Sequence, residues 1–168
     1  MATTHFQNSV DIKDHDGSTK GLTLGGTLVT ASAAEINAAA DTSSNVELVT
    51  TTNVLTAEES GKTLVLNSAT AFVTTLPVVA SGLRYKIYCG AAEVTGGNHT
   101  VVPNAANDNT VFGQCIAAGV VVAADAEGSI NLIADKFTAG DYIEVFCDGT
   151  NWYVSGMVAI AEGCTFTT

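Results

Sequence analysis

Proline occurs only twice and basic side chains only six times in 168 residues. With proline this rare, and alanine, valine, threonine and glycine abundant, many short strands are favoured over a helical bundle. Six basic residues against 17 acidic ones give a formal charge of −11. That balance lacks the basic footprint needed to hold a phosphate backbone, so no nucleic acid is expected as a partner. Long apolar runs are missing as well: none approaches the roughly 18 to 20 residues that a spanning helix needs. The residues after Met1 are polar, unlike a secretory leader, and no membrane association is expected.

Close cysteine pairs are also absent. Cys89, Cys115, Cys147 and Cys164 lie at wide spacings, unlike zinc or dithiol redox motifs. Cys89 and Cys147 fall in strand-like runs and read as small buried hydrophobes with free thiols. Spacing alone leaves a disulfide open.

Motifs for chemistry fail one by one. Asp11, Asp14 and Asp16 suggest a calcium loop, but with Gly17 at the sixth position the first would be Ile12 and the twelfth Thr23, neither able to act as the EF-hand requires. Gly61, Lys62 and Thr63 resemble the tail of a phosphate-binding loop. The glycine that should precede them is Thr56, and Lys62 opens a strand pattern rather than a helix. Glu58 with Glu59, and Asp125 with Glu127, are carboxylate pairs in turn-like segments and read as solvated charge. His5 and His99 have no neighbours that suggest a ligand pair or a base. The expectation is a protein that is not an enzyme, with no metal, no cofactor and no small-molecule substrate.

What the sequence does hold is strand rhythm. Residues 137–156 carry the densest set of large side chains: Ile143, Val145 and Cys147 alternate with Tyr142, Glu144 and Phe146, the two-residue period of a strand. Asp148 to Asn151 supply turn chemistry and Trp152, Tyr153 and Val154 begin a return arm, so a hairpin is predicted at the centre of a β-domain. Further strands are expected at 63–67, 72–76, 83–89, 99–102, 110–116, 119–123 and 129–134, with later arms at 156–160 and 164–166. Such short segments with Gly or Asn turns between them indicate a β-sandwich or jelly-roll-like barrel.

The N-terminal part differs. Residues 1–20 are polar with isolated Phe6, Val10 and Ile12 and read as an extended arm. Burying three such side chains contributes about 5 to 9 kcal/mol gross, and ordering the backbone around them costs about 10 kcal/mol, so the arm needs a partner surface. Residues 21–45 read as two short strands around Gly25 and Gly26, then a short helix opened by the Ser32 to Glu35 capping box, with Ile36 among alanines. The β-sandwich domain is assigned to 46–168.

Several of these stretches carry a family resemblance. The segment from LTAEESGKT to LPVVASGLRY at 55–85, the GGNHT turn at 96–100, and GDYIE to GTNWYVSG at 140–156 resemble a β-domain of tailed-bacteriophage virion structural proteins. GLTLGGTLVTASAAEIN at 21–37 is similar to linkers in the same class. The resemblance implies a head decoration or cement protein: a homotrimer, assembled in the host cytoplasm, that binds the major capsid protein on the outside of the capsid and stabilises joints between its subunits. Capsid or subunit contacts are then expected at Phe6, Val10, Ile12, Leu22, Leu24 and Ile36. Related segments also occur in tail fibres and spikes, so the alternative is a module that binds a host-surface receptor.

Overall fold

Two-residue alternation governs the structure, a computed structural model that describes residues 22–24, 26–31, 36 and 45–168. By internal packing the chain divides into two units, Met1–Thr42 and Ser43–Thr168. In the first, β1 (Thr23–Leu24) pairs antiparallel with β2 (Thr27–Leu28). Gly26, at φ +85°, takes the left-handed conformation that the turn requires and glycine tolerates. The expected arm, with Phe6, Val10 and Ile12, lies outside the described residues. So does the expected helix except Ile36, which is helical and exposed.

The second unit is a β-sandwich. Its strands are β3 (Val46–Val49), β4 (Asn53–Val54), β5 (Thr63–Leu66), β6 (Val73–Thr75), β7 (Arg84–Cys89), β8 (His99–Val102), β9 (Val111–Ala117), β10 (Val120–Glu127), β11 (Ser129–Leu132), β12 (Tyr142–Cys147), β13 (Trp152–Val158) and β14 (Cys164–Thr167). One sheet has seven strands in the order β10-β9-β13-β12-β7-β5-β3, the other five in the order β14-β11-β8-β6-β4. From β3 to β8 the chain deals its strands alternately into the two sheets. Each return to a sheet therefore runs in the same direction as the last, and β3, β5 and β7 are parallel, as are β4, β6 and β8. A parallel pair needs a crossover. Here the crossover is a strand of the opposite sheet, so no helix is required.

The core lies between the sheets. Tyr85, Ile87, Ile143, Val145, Trp152 and Val154 enter from the larger sheet, and Leu76, Val101, Ile130 and Leu132 from the smaller. The predicted hairpin β12–β13 sits at the middle of the large sheet, paired from Tyr142 with Met157 to Cys147 with Trp152. Asp148 closes its turn by accepting from the N–H groups of Thr150 and Asn151 at 2.7 and 2.8 Å, and these bonds hold its carboxyl below the ordinary range. The carboxylate of buried Asp141 accepts from Thr138 N–H at 2.8 Å and Ala159 N–H at 2.9 Å, joining the loop before β12 to the segment after β13. All four cysteines are buried free thiols. Burial pushes the Cys89 pKa up to about 12, and Cys164 is raised by its hydrogen bond to Cys115 and by burial.

Candidate binding face

Each inward residue of a strand dictates an outward neighbour, and on the large sheet those outward residues are not the polar set that solvent would select. Leu48, Val65, Tyr88, Tyr142, Met157, Ile116 and Val121 are cross-strand partners in sequence, one from each strand from β3 to β10. They form an unbroken apolar row across all seven strands. Leu48, Met157 and Val121 are 61, 55 and 57% exposed.

The neighbouring row is mostly polar: Val46, Thr63, Lys86, Glu144, Ser155, Gln114 and Ala123. Beyond it Arg84, Phe146, Tyr153 and Phe112 pair across four strands. Rings thus flank the polar row on both sides. Tyr88 and Tyr142 have centroids 5.4 Å apart; Phe146 stacks on Tyr153 at 5.1 Å, and Phe112 follows at 6.3 Å. The Lys86 ammonium lies 5.3 Å from the Tyr88 centroid and 4.9 Å from that of Tyr142, within cation–π range. Its interaction with the Tyr88 hydroxyl raises its pKa, so it stays charged. A shallow groove of about 190 Å³ opens here between Gly61, Lys62, Thr63, Arg84, Lys86 and Glu144.

The smaller sheet is a contrast on the same fold. Its outward positions include Thr165, Asn131 and Thr100 in one row, with Ser129 and Thr167 hydroxyls hydrogen-bonded at 2.7 Å nearby. Such side chains suit water. Val73, the next partner in that row, and Val54 are exposed on this sheet as well, so what sets the larger sheet apart is its rings and its apolar row across every strand.

The residues weighed for chemistry take structural places. Lys62 binds Glu47 at 2.8 Å and Glu59 at 3.1 Å, anchoring the edge strand β3 to the turn before β5. Burial alone would raise the Glu59 carboxyl, but the Thr56 N–H and Lys62 bring it below the ordinary range. Asp125 lies at the irregularity in β10 between Ala124 and Glu127. His99 is buried, its Nδ1 accepting from Phe72 N–H at 3.3 Å and its Nε2–H donating to Ser68 O at 3.1 Å; burial lowers its pKa and keeps the ring neutral. Among the described residues no three of His, Cys, Asp and Glu gather to hold a metal, and no helix is long and apolar enough to cross a membrane.

Of the expected contact residues, Leu22 and Ile36 are exposed and Leu24 lies in β1, all within Met1–Thr42. The outward row belongs to the other unit and was missed from sequence because its members run from position 48 to 157, one per strand. The signal that could have found part of it is local: Tyr142 and Phe146 share a strand face with Glu144, opposite Ile143 and Val145. No family model, curated protein or solved structure matches the chain.

Proposed function

We propose that this protein is a structural component of a tailed-bacteriophage virion, a decoration protein that binds the outside of the capsid and braces joints between major capsid subunits. The observation that carries the proposal is the outward apolar row crossing all seven strands of the larger sheet, in which Leu48, Met157 and Val121 are more than half exposed. Seven strands at about 4.8 Å spacing and some six residues long make a face of roughly 30 by 20 Å. That offers on the order of 600 Å² per copy, somewhat below the roughly 800 Å² each partner contributes to a standard interface. A trimer engaging three such faces at once gains the missing affinity through effective concentration. Support also comes from the stretches that resemble phage virion proteins: 55–85 and 140–156 include β5, β6, β12 and most of the turns around them.

The outward rings favour a second reading, a fibre or spike module that stacks host-surface sugars on Tyr88, Tyr142, Phe146 and Tyr153. Co-sedimentation separates the two. Purified protein mixed with undecorated heads of the encoding virus should pellet in a fixed ratio; protein that ignores heads and adheres to host cells would reverse the assignment. Solution mass determines whether the bound species is a trimer.

A further inference from the structure

Only six side chains in the sequence are cationic, and Lys62, Arg84 and Lys86 line the groove on the outward face described above. Lys62 is neutralised by Glu47 and Glu59. The other two are not. Arg84 and Lys86 have no ion pair, and the Arg84 guanidinium has no hydrogen-bond partner among the described residues. They stand two positions apart on β7, on one face, about 7 Å from each other along the strand.

Both cations are walled by rings. Arg84 pairs across strands with Phe146, and Lys86 sits over Tyr88 and Tyr142. The acidic groups at the groove are Glu144, the cross-strand partner of Lys86, and Glu47 and Glu59, which are already engaged by Lys62. A chain of net charge −11 therefore carries two cations that have no ion pair among the described residues on the ring-bearing face of its larger sheet.

We propose that Arg84 and Lys86 form a receptor for two carboxylates on a partner protein, presented by an extended acidic strand that packs on the large sheet. Alternate side chains of such a strand repeat at the same roughly 7 Å interval as Arg84 and Lys86, and sheets stacked face to face keep their strands within about 30° of one another. The guanidinium takes one carboxylate in the two-pronged geometry lysine cannot supply. The Lys86 ammonium, placed over two rings, takes the second, and apolar groups of the partner lie on the flanking rows. This assignment rests on the docking role proposed above and names the partner's chemistry.

The test uses the full chain and two labelled synthetic peptides, one alternating glutamate with leucine and one alternating glutamine with leucine, followed by fluorescence anisotropy. The glutamate peptide should bind, and binding should fall about tenfold or more for the glutamine peptide and for the Arg84→Gln/Lys86→Gln double variant. It should also weaken as salt is raised. Both substituted side chains lie outside the core, so the variant should melt with the wild type. Equal binding of the two peptides, binding of neither, or an unaffected double variant would overturn the receptor. Preference for a polyuronate over the glutamate peptide would also overturn it, in favour of an acidic glycan. Heads bound equally by wild type and double variant would leave docking standing without the receptor. Discrimination between the peptides with no head binding would leave the receptor standing without the capsid.

Discussion

Trp152 is fully buried, yet its Nε1–H is the one buried side-chain polar atom without a hydrogen-bond partner among the described residues. An unpaired buried donor costs about 1–3 kcal/mol, so its ring is retained for packing, 6.1 Å from Tyr85 at the middle of the core. Trp152→Ala should cost about 3–5 kcal/mol in denaturant unfolding. Trp152→Phe should cost distinctly less, because it removes the unpaired donor with part of the ring; equal costs would mean that the N–H is satisfied. His99 supports a pH prediction. Its folded pKa lies below the ordinary 6.5, chiefly through burial, so the unfolded chain takes up the proton first. Its contribution should be complete above about pH 6.5, decline as pH falls towards the folded pKa, and level off below it. An NMR titration should give His99 a midpoint below the ordinary value, and a midpoint at or above it would contradict the neutral buried ring. Sequence alone marked Trp152 as a core residue because its size leaves few alternatives. It gave His99 no neighbours for chemistry but did not show its burial, because its partners Phe72 and Ser68 lie 27 and 31 positions away.

The strand pair β9–β13 is parallel and brings Val154 against Gly113. Gly113 has φ +124°, and a Cβ there would come 2.1 Å from the Val154 carbonyl oxygen. Both the backbone conformation and the space require glycine. Gly113→Ala should therefore cost more than about 2 kcal/mol, measured as a shift in urea midpoint at unchanged slope; a loss within the range of ordinary surface substitutions would mean that β9 can slide from β13. At this scale the sequence was informative where order is local. The alternation in β12 separated the two faces of the strand, and Asp148 to Asn151 identified the turn. Parallel pairing was not legible, because nothing within β3, β5 or β7 records that the intervening strand crosses to the other sheet. The strand expected at 119–123 in fact continues to Glu127, past an alanine at φ +60° that ordinary propensity would not place inside a strand.

Across the whole molecule, the buried core cluster runs from Val49 to Cys164, within Ser43–Thr168. The stabilising contacts and the proposed docking face therefore occupy opposite sides of the same strands, and the two should respond separately to substitution. Core residues set the melting temperature; the outward row sets association. Leu48→Ser, Met157→Ser and Val121→Ser, combined, change three exposed side chains spaced across the sheet. Surface changes away from caps and charge networks usually stay within about ±0.5 kcal/mol each, and sites this far apart should add. The triple variant should thus unfold within roughly 1.5 kcal/mol of the wild type while losing retention on heads, because the apolar contact is removed at both edges and near the centre of the face. Retention equal to wild type, in a variant verified to be folded, would move the contact away from this sheet and return the search to Leu22, Leu24 and Ile36. Loss of folding with loss of binding would contradict the separation itself, since it would make the outward row part of what holds the sandwich together.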